Sequence, residues 1–213
     1  MPRQIPFQPF DPSVPVDRHE RRLPHWEQPG VTYFVTFRLA DSVPQSLLAQ
    51  WEEERAIWRR CHPEPWSEDE AREYCERFTE RMETWLDAGM GACHLRLEEV
   101  RREVESVLLC YDSLRYDVDA FVLMPNHVHL LITPCPGRNL KAVMKSIKGV
   151  SARRSNAVLR RSGTFWMDES HDHIVRDAGE LATFRRYIEE NPRKAGLRVD
   201  EYSLSLRQVL LVT

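Results

Sequence analysis

Long apolar runs, paired cysteines and glycine-rich nucleotide loops are what this sequence of 213 residues lacks. No stretch approaches the roughly 18 consecutive apolar residues of a membrane-spanning helix. The first residues, MPRQIPFQPF, do not contain the apolar core of a signal peptide. The five cysteines are odd in number and none forms a CxxC pair, which argues against a disulfide framework or a zinc ribbon. We therefore expect a cytoplasmic protein with reduced thiols and no membrane partner.

Charged residues are present in ordinary number but are distributed unevenly. The chain is 30% charged and 42% hydrophobic, as in a soluble globular domain. Residues 44–109 contain sixteen acidic and nine basic side chains, a net charge of −7, whereas the whole chain carries −3. Residues 138–161 (RNLKAVMKSIKGVSARRSNAVLRR) carry eight Lys or Arg and no Asp or Glu. A chain of negative net charge thus contains a basic segment of the kind that binds nucleic acid.

Apolar periodicity divides the chain into strands and helices. Seven of the fourteen prolines lie in residues 1–30, which predicts an irregular N-terminal arm. Three segments predict strands, the last two joined by a tight turn at Pro125 and Asn126: VTYFVTFRL (31–39), YDVDAFVLM (116–124) and HVHLLIT (127–133). Helical spacing is found in residues 45–109, in the basic segment and in residues 177–191. Asp177 is placed to cap the last helix, and Pro192 to end it.

Two histidines, His127 and His129, stand one residue apart inside an apolar strand. Because residues two apart on a strand point to the same face, both imidazoles can reach one metal ion. Both can equally be buried histidines whose nitrogens are satisfied by hydrogen bonds. The HxH pattern alone leaves the two interpretations open.

Tyr187 and Asn191 stand four residues apart and so lie on one face of the last predicted helix. The amide oxygen of Asn191 with two imidazoles would form a mixed nitrogen and oxygen ligand set, which suits Mg²⁺ or Mn²⁺ better than a closed zinc site. Tyr187 would then stand near the ion as a nucleophile. The alternative is that Tyr187 packs beside Phe184 and that Asn191 only ends the helix.

These motifs resemble the Y1 (single-tyrosine) HUH transposases of the IS200 type, and among them the REP-associated tyrosine transposase branch. The similarity is carried by VTYFVTFRLADSVP, RYDVDAFVLMPNHVHLLI, SIKGVSARRSN, FWMDESHDHIVRD and YIEENPRKAGL. It covers most of the chain outside the arm, the acidic helical segment and about the last fifteen residues. The resemblance implies an α/β (α+β) fold, with a ferredoxin-like antiparallel sheet and flanking helices. We expect one such domain over residues 31–213, with an acidic helical insertion at about 45–109.

The resemblance also implies a chemistry. His127, His129 and Asn191 would hold Mg²⁺ or Mn²⁺, and Tyr187 would attack a phosphate of single-stranded DNA to form a 5′-phosphotyrosine. The substrates would be hairpin-forming, REP-like sequences, and the protein a transposase or a domesticated one in a bacterial cytoplasm, associated with the nucleoid when bound to DNA. Relatives act as dimers or as monomers, so both a monomer and a homodimer stay open. Many relatives carry an aromatic residue where this chain has Ser170 or His171.

Further residues of the sequence are expected to contact the nucleic acid. Six basic residues are predicted to neutralise DNA phosphates: Arg138, Lys141, Lys145, Lys148, Arg153 and Arg154. Four others are candidates for supporting the metal ligands or for touching DNA: Asn126, Trp166, His171 and His173. The alternatives are a solvated helix face for the basic set, a core position for Trp166 and simple surface exposure for His171.

Other functions fit the residues less well. A histidine-triad phosphohydrolase would need a third histidine at position 131, where Leu131 stands. A catalytically inactive protein that binds DNA hairpins is the main alternative to the enzyme. An acidic helical interaction module would leave the histidines, Tyr187 and Asn191 unexplained.

Overall fold

The computed structural model describes residues 7–20 and 24–207. The strands are β1 (Asp17–Glu20), β2 (Pro24–Glu27), β3 (Tyr33–Arg38), β4 (Tyr116–Leu123), β5 (His127–Pro134), β6 (His171–Ile174) and β7 (Ser203–Leu206). The helices are α1 (Gln45–Cys61), α2 (Glu68–Tyr74), α3 (Arg81–Asp87), α4 (Glu98–Cys110), α5 (Leu140–Val158) and α6 (Ala178–Lys194). The chain forms two compact units, one of residues 41–93 and one of the residues on either side of that segment. None of the described helices is both long and apolar enough to span a bilayer.

Five strands form the main sheet, in the order β6-β3-β5-β4-β7. All neighbouring pairs are antiparallel. The succession β3-α4-β4-β5-α5-β6 is a pair of split β-α-β units, each enclosing a strand of the other, and this is the ferredoxin-like arrangement. The predicted fold class is therefore confirmed. Strand β5 lies at the centre of the sheet, and all eight of its residues are buried.

The sheet carries a separate apolar core on each face. On one face, alternate residues of β3 and β5 pack with residues of α4 and α5, among them Val35, Leu130, Val104 and Ile147. On the other face, Phe34, Val122 and Leu131 pack against Ile188 of α6. Because side chains alternate along a strand, the residues of β5 that point toward α6 are His127, His129 and Leu131.

The acidic helical segment does not form one unit. Helices α1 to α3 belong to the unit of residues 41–93, which has its own aromatic core around Trp51, Trp58 and Phe78. Helix α4, also in the predicted 45–109 insertion, belongs to the sheet unit, because its Val100, Val104, Val107 and Leu108 are buried in the core of the first face. Its charged outer face resembles α1 to α3 in composition, so composition alone could not separate it.

The expectation that Pro192 ends α6 is wrong, because the helix continues to Lys194. Pro192 removes the hydrogen bond to the carbonyl of Ile188 and its ring crowds that carbonyl, but Arg193 and Lys194 still complete the last turn. The chain leaves the helix through Gly196, which lies two residues after Lys194 and has a φ of +66°. Leu197 N donates to Pro192 O at 2.9 Å and Gly196 N to Arg193 O at 3.1 Å, which is a Schellman motif.

The N-terminal arm is more regular than its prolines predicted. Strands β1 and β2 within it pair antiparallel. The arm is also fastened to the sheet unit, because Gln28 Nε2 donates to Asp11 O at 2.7 Å and the Tyr33 hydroxyl donates to Gln28 O at 2.8 Å. The proposed arm at residues 1–30 includes residues 1–6 and 21–23, which lie outside the described part of the chain.

Candidate active site

His127 and His129 lie side by side on β5 and point toward α6. Both are fully buried. Their Nε2 atoms are 3.0 Å apart, and their rings meet edge to face with centroids at 4.7 Å. Two lone pairs at this distance repel each other, so either one neutral ring donates an N–H···N hydrogen bond to the other, or a cation is bound by both nitrogens.

The other ring nitrogens are held by neighbouring side chains. His127 Nδ1 donates to Asn126 Oδ1 at 2.8 Å, which leaves a lone pair on its Nε2. His129 Nδ1 is 2.8 Å from the hydroxyl of Thr36 on β3, whose Cα pairs with that of His129. A hydroxyl can donate or accept, so Thr36 suits either tautomer of His129. Partners of this kind orient metal-binding histidines and fix the nitrogen that faces the ion.

Burial keeps both imidazoles neutral. It lowers the pKa of His127 to about 3. Burial also holds the pKa of His129 well below its ordinary value, with smaller contributions from the charges of His127 and His171. A neutral imidazole is the form that binds a metal ion, so the site needs no deprotonation near neutral pH.

Helix α6 brings Tyr187 and Asn191 to the histidines. Asp177 caps the helix through its side chain, which accepts from Glu180 N at 2.8 Å, and Ile188 anchors it in the core. The Tyr187 ring meets His129 edge to face, with centroids at 5.0 Å. Asn191 is buried, and its Nδ2 lies 3.5 Å from His129 Nε2. The residues predicted as a group from two distant motifs therefore lie together.

The donor set fits a divalent cation. Asn191 Oδ1 is buried and has no hydrogen-bond partner among the residues that the structure describes. A buried amide oxygen without a partner is costly, and a cation would relieve that cost. Two neutral imidazole nitrogens and one amide oxygen leave coordination positions open for phosphate oxygens, as Mg²⁺ or Mn²⁺ would require.

His171 and His173 lie on β6, at the edge of the same sheet. The Cα of His171 pairs with that of Thr36, and the Cα of His173 with that of Phe34, so both side chains share the face of the histidine pair. His171 is exposed, whereas His173 Nε2 lies 2.8 Å from Glu180 of α6. The structure thus joins His173 to the helix that carries Tyr187, and places His171 at the exposed edge of that face.

The predicted DNA-contacting residues lie on or beside α5, on the opposite face of the sheet from the histidines. Lys148 Nζ donates to Asp168 O at 2.6 Å. Arg154 lies 3.6 Å from Glu103 of α4. The other four are exposed: Arg138, Lys141, Lys145 and Arg153. Trp166 is buried, donates from Nε1 to Ser151 Oγ at 2.9 Å and packs edge to face on Phe37, so most of its surface belongs to the core.

Two residues of the site were not predicted from the sequence. Thr36 reaches His129 across a strand pair. Phe34 stacks on Phe184 with centroids at 4.3 Å and also meets the rings of His129 and Tyr187. The available signal was the alternation of residues 31–39, which places Phe34 and Thr36 on one face. The pairing register needed to connect that face to His129 is not written in the local pattern.

Two buried histidines on the central strand of a ferredoxin-like sheet, beside a helix that presents a tyrosine and an amide, define an HUH-type site with a single tyrosine. Residues 95–191 match the model of the family described as "Transposase IS200 like". This range includes both histidines, Tyr187 and Asn191, so all four residues of the candidate site lie in the segment that is similar to IS200-like transposases.

Two solved structures are similar to the chain. One is described as a REP-associated tyrosine transposase bound to a REP hairpin, with 16% identity, coverage of 82% of this chain and 73% of the other, and a TM-score of 0.46. The second is a proposed transposase from Deinococcus radiodurans R1, with 15% identity, coverage of 76% and 90%, and a TM-score of 0.31. No curated protein matches the sequence.

Proposed function

We propose that the protein cleaves and rejoins single-stranded DNA through a 5′-phosphotyrosine on Tyr187, with His127, His129 and Asn191 holding Mg²⁺ or Mn²⁺. The substrates would be hairpin-forming, REP-like sequences, and the protein a transposase or a domesticated one. The observation that carries this proposal is the meeting of two neutral imidazoles and an unpartnered amide oxygen beside the ring of Tyr187.

Each residue would have a defined part in the reaction. Asn126 and Thr36 would orient the imidazoles so that both Nε2 atoms could hold the ion. When bound, the ion would act as a Lewis acid toward the scissile phosphate. The Tyr187 oxygen loses its proton and forms the new bond to phosphorus, while the bond from phosphorus to the 3′-oxygen breaks and that oxygen takes up a proton. Because the phosphotyrosine retains the energy of the diester, a 3′-hydroxyl can reverse the step without ATP.

The proposal assigns DNA binding to α5 and the residues around it. Four exposed cations, Arg138, Lys141, Lys145 and Arg153, can reach phosphates. The REP-associated branch is supported by YIEENPRKAGL on α6 and by FWMDESHDHIVRD, which contains β6. His171 shares the face of the histidine pair and is assigned a contact to the DNA strand that enters the site.

The test is the covalent adduct itself. Labelled single-stranded hairpins from the DNA flanking the gene are incubated with the protein and Mg²⁺ or Mn²⁺, and the products are separated on a denaturing gel. We expect an adduct that is lost in Tyr187→Phe and on chelation of the metal. Tyr202→Phe is the matched control, because Tyr202 packs against the same apolar core without approaching the histidines in any described contact.

The opposite outcome favours the alternative function. A protein that binds hairpins tightly in every metal but forms no adduct would be a catalytically inactive hairpin-binding protein. Loss of the adduct in Tyr202→Phe to the same extent as in Tyr187→Phe would remove the assignment of the nucleophile.

A further inference from the structure

Arg185 lies on α6 two residues before Tyr187 and joins the helix to the sheet. Its Nη1 donates to Asp119 Oδ1 of β4 at 3.3 Å, and its Nη2 donates to the carbonyl oxygen of Arg207, the residue after β7. The ion pair is largely buried, with 21% of the arginine side chain and 14% of the aspartate side chain exposed. One side chain of the helix is therefore bonded at two points to neighbouring strands.

A β-bulge in β4 places Asp119 within reach of α6. The pairing of β4 with β5 shifts register between Val118 and Ala120, so Asp119 is the extra residue. Val118 lies in the core on the α5 side of the sheet and Ala120 in the core on the α6 side, although residues two apart in a regular strand face the same side. Asp119 O also accepts from Arg207 N at 2.9 Å. The bulge and the end of β7 thus form one anchor for the guanidinium.

The carboxylate of Asp119 depends on Arg185. Burial raises the pKa of Asp119, and the positive charge of Arg185 opposes that rise. The second carboxylate oxygen, Oδ2, is buried and has no hydrogen-bond partner among residues 7–20 and 24–207. Because a buried charge that loses its partner is strongly destabilising, the ion pair resists separation.

Arg185 and Tyr187 lie on opposite flanks of the side of α6 that faces the sheet. With 3.6 residues per turn, the fully buried Ile188 lies between them, about 60° from Arg185 and about 100° from Tyr187 around the helix. On the Tyr187 flank, Phe34 stacks on Phe184 with centroids at 4.3 Å, and apolar contacts of this kind are non-directional. The directional bonds of Arg185 can therefore fix the rotation of the helix about its own axis.

We propose that Arg185 is a positioning residue, which sets the rotation of α6 so that Tyr187 faces the histidine pair. This inference rests on the proposed function for the role of Tyr187. Side-chain tips lie about 5–6 Å from the axis of a helix, so a rotation of about 10° moves them by about 1 Å. A misplacement of about 1 Å can lower a reaction rate by about 100-fold. Loss of Arg185 should thus slow adduct formation and leave DNA binding unchanged.

Two substitutions of Arg185 test its role. Arg185→Met keeps the stem of the side chain and loses both bonds, whereas Arg185→Lys keeps the charge but not the two-pronged geometry. If Arg185→Met alone does not fold, Asp119→Asn in the same chain removes the unpaired buried charge and still lacks the ion pair.

The rate of adduct formation is measured in a single turnover on labelled hairpins, with saturating protein and Mn²⁺. Hairpin affinity is measured in the same variants carrying Tyr187→Phe. We expect Arg185→Met to form the adduct about 10- to 100-fold more slowly with hairpin affinity unchanged within about twofold, and Arg185→Lys to regain part of the rate.

Arg101→Ala is the matched control for a loss of stability. Arg101 is a buried arginine of α4, on the other face of the sheet, and its guanidinium also donates to backbone carbonyls. This variant should be less stable than the wild type, but at a temperature where both are folded it should form the adduct at the wild-type rate.

A second measurement does not depend on catalysis. The Tyr187 ring meets the His129 ring edge to face with centroids at 5.0 Å, so its ring current shifts the NMR signals of the His129 ring protons. In Arg185→Met these signals should move toward their positions in Tyr187→Leu, and in Arg101→Ala they should stay in place.

The inference is wrong if folded Arg185→Met forms the adduct at the wild-type rate, if it loses hairpin affinity in proportion to the rate, or if Arg101→Ala slows the adduct equally. Any of these results with an adduct from the wild type retains the proposed function alone. If the wild type forms no adduct, the proposed function fails, and the His129 signals decide whether Arg185 positions Tyr187.

Discussion

The hydrogen bond between Thr36 and His129 provides a sharp test of the site. Thr36→Val keeps the shape and the β-branched backbone preference of the residue but removes the hydroxyl that lies 2.8 Å from His129 Nδ1. His129 is fully buried, so losing this partner should lower the free energy of unfolding by about 1–3 kcal/mol. Metal affinity should fall by about 10- to 100-fold, the usual effect of removing a partner that orients a metal-binding histidine.

Thr32, four residues before Thr36, provides the matched control. Thr32 is buried, and its hydroxyl lies 2.8 Å from that of Thr133, away from the histidines. Thr32→Val removes this hydrogen bond and a longer one, of 3.3 Å, that Thr32 Oγ1 accepts from Gln8 N, and should lower stability by a similar amount of about 1–3 kcal/mol without changing metal affinity.

The assay is a Mn²⁺ titration by calorimetry, with urea unfolding of the metal-free proteins as the measure of stability. If Thr36→Val binds Mn²⁺ as the wild type does, or if Thr32→Val weakens binding equally, the assignment of Thr36 as the residue that orients His129 is refuted. A stability loss alone would show only that the hydrogen bond stabilises the fold.

Three further outcomes follow from the structure. Because the pKa of His127 falls to about 3 on folding, the unfolded chain binds more protons between that value and its ordinary pKa of 6.5. The contribution of His127 to the stability of the metal-free protein should thus be complete above pH 6.5 and fall as the pH is lowered, by up to about 1.4 kcal/mol per pH unit. Urea unfolding in the presence of a chelator measures this dependence. A free energy of unfolding that does not change with pH would contradict the buried neutral state of His127. Arg101→Ala should lower the free energy of unfolding by about 3 kcal/mol, because buried Arg101 donates to the carbonyls of Leu95, Arg96 and Asp200. Arg102→Ala removes only an exposed ion pair with Glu98 and should change it by no more than about 0.5 kcal/mol. Equal effects of the two substitutions would show that the hydrogen bonds of Arg101 do not stabilise the fold. Lys145→Ala should weaken the binding of all single strands alike and reduce the salt slope by about 0.7. Arg72→Ala, which removes an exposed cation that pairs with Asp69, should change neither. An unchanged slope in Lys145→Ala would contradict the assignment of DNA binding to α5.

Much of the fold was accessible from apolar periodicity. Strands β3, β4 and β5 and helix α6 have long, regular patterns and were predicted within a few residues of their bounds. The short edge strands were not predicted. Strand β6 has the sequence HDHI, which shows little apolar alternation. It is extended because it pairs with β3, and that is a tertiary effect.

In the candidate site, too, features with a local sequence pattern were predicted and features that depend on tertiary packing were not. His127, His129, Tyr187 and Asn191 were found because each pair follows a fixed local spacing on one element. The meeting of the two pairs was expected from the chemistry of a shared ligand set and from the family resemblance, since no local rule joins residues about sixty positions apart. The contact between Thr36 and His129 depends on strand register. Such features are decided by packing between elements, and sequence patterns describe single elements.

Tyr187 and Asn191 belong to one helix, and this has a thermodynamic consequence. Any displacement of α6 would remove the proposed nucleophile and one proposed metal ligand together, and would leave the two histidines as an incomplete site. By linkage, an ion that needs Asn191 stabilises the docked position of the whole helix, by an amount that grows with its concentration over its dissociation constant. The divalent metal would therefore control whether a nucleophile is present as well as how fast it reacts, and slower amide exchange along Ala178–Lys194 on metal addition would reveal that control.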